Sequence, residues 1–112
     1  MVTLELSVKT TRRMNQKIKS RDLQEKLKDL KPLLEEEFGV KEIGYFGSFA
    51  LGEESESSDV DILVELKAPL GWKFFELKEF LEDKLGRPVD LVTQNALKER
   101  LRNEILSSTI YV

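Results

Sequence analysis

GSFALGEESESSDVDILVEL, residues 47–66, is the stretch on which the reading of this chain turns. A Gly-Ser pair, a second glycine and a polar run lead to Asp59-Val60-Asp61, which open a segment as apolar as Ile62-Leu63-Val64. A strand that only filled a core would not begin with two carboxylates. On a strand, residues two apart leave the same face, which puts the Asp59 and Asp61 Cα atoms roughly 6 to 7 Å apart. Such a pair can converge on one divalent ion, or on two ions about 3.5 to 4 Å apart. Repulsion between the carboxylates makes an empty site costly, and a bound metal removes that cost.

Asp90 repeats the pattern in PVDLVT, residues 88–93, where Val89, Leu91 and Val92 are apolar and the acid alone is not. If this strand pairs beside the Asp59–Leu66 strand, Asp90 completes an oxygen-only triad as metal ligand or as base towards a hydroxyl. The plainer alternative is an acid on an exposed strand edge. Upstream, Gly47 permits close backbone approach, and the Ser48 hydroxyl with the free N–H groups of a helical turn can face an anion. A lone Gly-Ser or Asp-x-Asp is common; their order and spacing before an apolar strand carry the information.

Composition narrows the chemistry. The 112 residues include no cysteine and no histidine, so disulfides, thiolate or imidazole metal sites and a histidine base are excluded. Any bound metal is a hard cation held by oxygen. With 40% hydrophobic and 35% charged residues, one compact domain with a charged surface is expected. No apolar run approaches a membrane span, and the cytoplasm is the expected location. Charge is uneven: KTTRRMNQKIKSR, residues 9–21, holds six cations and no acid, whereas residues 22–112 hold twelve basic and twenty acidic side chains. The basic arm is either a solvated segment or a contact to phosphate or an acidic partner. It has no interleaved aromatic to stack on nucleic-acid bases.

Periodicity supplies the rest. Val2, Leu4, Leu6 and Val8 alternate as a short edge strand would. Leu23, Leu27, Leu30 and Leu34 form one helical stripe, with Ser20 or Asp22 as cap, Asp22 and Glu25 at capping-box spacing, Pro32 as a possible kink and Gly39 as the end. VKEIGYF, residues 40–46, reads as a strand. Trp72, Phe75, Leu77, Phe80, Leu81 and Leu85 give a second helix a broad apolar face, with some aromatic surface left for an interface. Asn95 is expected to cap a last helix carrying Leu97, Leu101 and Ile105. The order predicts an α/β (α+β) sandwich whose mixed sheet has three or four strands.

At GSFALG and SDVDILV the chain resembles the nucleotidyltransferase superfamily of DNA polymerase β, and most closely its minimal nucleotidyltransferase branch, over Leu23 to Tyr111. The resemblance implies a small polymerase β-like fold, with residues 1–21 an N-terminal segment and residues 22–112 the nucleotidyltransferase domain. It implies that Gly47 and Ser48 hold the triphosphate, that Asp59 and Asp61 are ligands of one or two Mg²⁺ ions, and that Asp90 is the third catalytic and metal-binding carboxylate. It further implies transfer of a nucleoside monophosphate, AMP from ATP above all, to a hydroxyl of a partner protein, the partner being a ribonuclease toxin of the HEPN class and this chain its antitoxin. An antitoxin that acts by complexation alone is the alternative. One departure stands out: the family commonly has a basic residue where this chain has Leu51. Losing a charged hydrogen bond to phosphate costs about 1.5 to 3 kcal/mol, roughly tenfold to a hundredfold in affinity. Lys41, Lys67, Arg12 and Arg13 are the candidate substitutes.

Overall fold

The computed structural model describes residues 17–112; the expected edge strand at Val2–Val8, Arg12, Arg13 and most of the basic segment lie outside the described residues. The chain runs α1 (Ser20–Phe38), β1 (Val40–Phe46), a single helical turn α2 (Ser48–Leu51), β2 (Val60–Leu66), α3 (Lys73–Leu85), β3 (Val89–Thr93), a 3₁₀ turn (Gln94–Ala96), α4 (Glu99–Ser108) and β4 (Ile110–Tyr111). The four strands form one mixed sheet in the order β3-β2-β1-β4. β1 pairs antiparallel with β2 and β4, and β2 pairs parallel with β3. This is the expected α/β architecture, with β4 as the fourth strand.

The leucine stripe explains α1. Leu23, Leu27, Leu30 and Leu34 are all buried, each contributing about 1.5 to 3 kcal/mol relative to exposure. They pack with Leu77, Leu81 and Leu85 of α3 and with Ile43, Tyr45, Val60, Ile62 and Val64 of the sheet in one core. Leu63, between Ile62 and Val64, is buried as well, so β2 is covered on both faces, as its unbroken apolar centre implied. Because strand residues alternate, Asp59 and Asp61 share the Leu63 face, away from the helix-packed core.

Three expectations give way. Neither Ser20 nor Asp22 caps α1: its N-cap is Lys19, without a side-chain cap bond, and the Ser20 amide instead donates to Glu54 Oε2 at 2.8 Å. The cap is supplied from 34 residues away, by the loop ahead of Asp59. The last helix starts at Glu99 rather than after Asn95, because Leu97 and Lys98 are extended and Gln94–Ala96 close a 3₁₀ turn; none of the side chains described on α4 is buried. Trp72, the N-cap of α3, and Phe75 face solvent, so the buried face of α3 is the narrower Leu77-Leu81-Leu85 stripe, with Phe74 and Phe80 partly packed against the core. Pro32 lies within α1, which continues through it to Gly39.

The distant cap has a pH signature. Chiefly the Ser20 amide, and then Glu54's own amide, hold the Glu54 carboxyl below its ordinary value of 4.5; the Ser20 hydroxyl and the Arg87 charge add to this against an opposing desolvation. A depressed carboxyl stabilises the fold above its unfolded value and loses that contribution as pH falls through its folded value. Glu54→Gln therefore lowers the melting temperature near neutral pH. The difference from the parent protein shrinks below about pH 4.5, which thermal melts across that range would show.

Candidate active site

β1 ends at Phe46 and delivers Gly47 to the site as the next residue. Phe46 pairs with Asp61 across the antiparallel ladder, and the chain then turns through Gly47 with φ 68° and ψ −146°. That positive φ favours glycine, and there is a second reason for the residue: a Cβ here would collide with the Asp61 carboxylate. Gly47 and Asp61 are therefore in direct apposition. Ser48 begins α2, where the Ala50 and Leu51 amides return to the Gly47 carbonyl and no side chain caps the turn. An uncapped first turn leaves backbone donors for an anion.

On the other side, the parallel ladder pairs Asp61 with Asp90. The two carboxylates stand side by side on one face, as the conditional pairing of the third strand required. Asp90 is exposed on the edge strand β3, so the edge position and the neighbourhood of Asp61 are both realised. Asp59 is exposed one residue before β2 and leaves on the Asp61 face. Only Asp61 is partly buried.

The electrostatics follow from this placement. Burial pushes the Asp61 carboxyl above its ordinary value, and the charges of Asp90 and then Asp59 push it the same way. Among the described residues none of the three acids takes part in an ion pair. Among the same residues, no group of three or more acids is drawn together closely enough to hold a metal ion as it stands. The donor set is oxygen alone, uncompensated and convergent in register, which suits a hard divalent cation. Asp59 and Asp61, with Asp90 beside them, are the residues that would hold it.

Of the candidate substitutes for a cation at Leu51, the two among the described residues, Lys41 and Lys67, fall elsewhere. Leu51 is 68% exposed. Lys41 pairs with Glu65, and Lys67 with Glu35, where Val40 meets Leu66 at the opposite end of the ladder. Lys41 lies five residue steps along the strand from Phe46, about 16 Å, beyond a lysine's reach. Lys17 does reach the acidic loop, its Nζ donating to the Glu56 carbonyl at 2.7 Å. Tyr45 is core, with its hydroxyl titration raised by burial.

Sequence reading missed Arg87. The residue is 5% exposed and donates to the carbonyls of Ile18, Ser55 and Ser58. Its only local signal was a charge immediately before PVDLVT, which resembles any solvated turn cation. Glu54 was hidden among acids in the same way.

Comparison with known proteins bears on the family and the fold. A family model described as a nucleotidyltransferase domain matches residues 20–112. The chain is 50% identical over 80 residues to the protein adenylyltransferase MntA of Thermococcus cleftensis, an alignment covering 70% of this chain and 81% of that protein. It is 43% identical over 93 residues to a candidate protein adenylyltransferase of Methanocaldococcus jannaschii, covering 81% and 95%. A solved structure of a candidate minimal nucleotidyltransferase superposes with a TM-score of 0.73 at 32% identity, covering 83% of this chain and 95% of the other. A toxin–antitoxin structure with AMP-PNP superposes with a TM-score of 0.64 at 26% identity, covering 77% and 70%.

Asp61→Asn keeps the shape of the side chain and removes the partly buried charge between its like neighbours. In metal-free buffer it raises the melting temperature by about 1 to 4 °C, the gain kept small by solvent screening. An unchanged or lower value in a thermal melt would mean that the acids do not strain one another.

Proposed function

Because this chain belongs to the nucleotidyltransferase-domain family, in its minimal nucleotidyltransferase branch, we propose that it transfers AMP from ATP to a hydroxyl of a partner protein. The observation that carries the reading is the register of Asp61 against Asp90, with Gly47 packed on the Asp61 carboxylate. The Gly-Ser turn and the carboxylates are thereby adjacent. The names of the relatives, protein adenylyltransferases, support AMP as the group transferred.

In this reading Gly47 and Ser48 hold the triphosphate with backbone amides and the Ser48 hydroxyl. Asp59 and Asp61, with Asp90, hold Mg²⁺, which when bound neutralises phosphate charge and orients the α-phosphate. Asp90, exposed at the sheet edge, orients the acceptor hydroxyl and takes its proton. The acceptor oxygen forms a bond to the α-phosphorus as the bond to the bridging oxygen breaks, and pyrophosphate leaves. Asp90's open position suits an acceptor brought in on another protein, since a domain of this size has little room for an acceptor pocket.

That acceptor we take to be a HEPN-class toxin in the cytoplasm, with this chain its antitoxin. The structural likeness to a toxin–antitoxin assembly with AMP-PNP supports a nucleotide and a toxin as partners. A second reading, antitoxin action by binding alone, is favoured by one observation: Leu51 is exposed where a phosphate-binding cation is common, and Lys41 and Lys67 lie at the far end of the sheet.

Two experiments separate these readings. With ATP radiolabelled at the α-phosphate, Mg²⁺ and extract of the source organism, the parent protein labels one protein band, and Asp59→Asn with Asp61→Asn abolishes the label. Retention of label by the double variant would remove the carboxylates from the chemistry, and no label from either protein would favour binding alone. Leu51→Arg restores a cation beside the triphosphate and tightens ATP binding by about tenfold or more; unchanged affinity in calorimetry would place Leu51 away from the phosphates.

A further inference from the structure

Resting on the carboxylate reading above, the strongest additional feature is the buried guanidinium of Arg87. Its Nε donates to the Ile18 carbonyl at 2.8 Å, and its Nη1 donates to the carbonyls of Ser55 at 2.7 Å and Ser58 at 2.9 Å. The guanidinium carbon lies 4.9 Å from the centroid of the Phe49 ring. The donor fork thus spends its geometry on carbonyls and an aromatic face.

These contacts fall on the segments that carry the site. Phe49 follows Gly47-Ser48, Ser58 immediately precedes Asp59, and Arg87 itself stands three residues before Asp90. Asp59 lies outside the ladder, which begins at Val60. The Val60 amide is tied to the Pro88 carbonyl at 2.9 Å, directly beside Arg87. The loop ahead of it is otherwise closed on itself, with the Ser55 amide donating to Ser58 Oγ at 2.8 Å. Without Arg87 that closed loop would be held to the body chiefly through Lys17 and Glu54, each a single contact at its periphery.

We propose that Arg87 is a positioning residue: by gripping the 55–58 loop and bracing the Phe49 turn, it sets Asp59 beside Asp61 and Asp90 for metal and triphosphate. A side chain that merely filled the core would need no fork.

The test uses Arg87→Lys, which keeps the charge and much of the stem. A single ammonium cannot grip both serine carbonyls, reach Ile18 and lie flat on Phe49 together. Folding is checked by circular dichroism, and α,β-methylene-ATP is titrated by calorimetry at a series of Mg²⁺ concentrations. The Mg²⁺ concentration giving half-maximal analogue binding rises about tenfold to a hundredfold, analogue binding without metal stays close to the parent's, and amides 58–60 exchange hydrogen faster. A folded Arg87→Lys protein with unchanged Mg²⁺ dependence overturns the proposal and leaves Arg87 a stability residue. If Arg87→Lys does not fold, Phe49→Leu, which removes only the ring under the guanidinium, gives a smaller shift in the same direction; no shift overturns the proposal equally. Absence of Mg²⁺-dependent analogue binding in the parent protein overturns the carboxylate reading itself, and the role of Arg87 falls with it.

Discussion

Like charge at short range is the constraint around which this molecule is arranged. Asp61 stands between Asp90 across the parallel ladder and Asp59 two residues back on its own chain, and it is the most buried of the three. No neighbour among the described residues neutralises them through an ion pair. Burying charge without a partner is costly, so a fold that keeps these acids together must hold them by other means. It does so with the hydrophobic core on the opposite sheet face, where Ile62 and Val60 alternate with the acids and anchor β2 against α1 and α3. A one-residue slip of β2 would exchange acids for core residues, so burial itself fixes the register of the site.

Around that fixed ladder the less regular parts are tied by a few polar contacts that cross long stretches of sequence. Glu54 caps α1 from the acidic loop, Arg87 clasps the same loop from two residues before β3, and Gly47 lies against Asp61 with no room for a side chain. The loop between Leu51 and Asp59 has little regular structure of its own. It is nonetheless joined to α1, α2 and the β3 approach by hydrogen bonds on either side of Asp59.

Most of the fold was legible because its signals are local and periodic. The Leu23–Leu34 stripe, the unbroken apolar centre of Ile62-Leu63-Val64 and the isolated acid in PVDLVT each report burial on a known period, and each lies where that period places it. Order and spacing also placed Gly47, Ser48, Asp59, Asp61 and Asp90 at adjacent strand ends, and there Asp61 pairs with Asp90 and Gly47 lies against Asp61. What escaped was long-range. The cap of α1 belongs to Glu54 and not to Ser20 or Asp22, since a carboxylate 34 residues away outcompeted the local side chains. The start of α4 moved past Asn95 because Leu97 and Lys98 are extended, against their helical propensity. Arg87 gave no periodic signal at all; its role exists only once three separate loops have come together. Lys41 and Lys67 failed as phosphate cations for the same reason, since strand direction, invisible in composition, carries them to the far end of the sheet.

The central claim, that the acids on this face receive a metal-bound triphosphate, is tested most directly by a crystal structure of the protein with Mn²⁺ and α,β-methylene-ATP, read at the manganese absorption edge. The account predicts an anomalous peak ligated by Asp59 and Asp61, with the triphosphate against Gly47-Ser48 and Asp90 facing the α-phosphorus. A triphosphate bound elsewhere, or one at the Gly-Ser turn with the carboxylates free of metal, would contradict it.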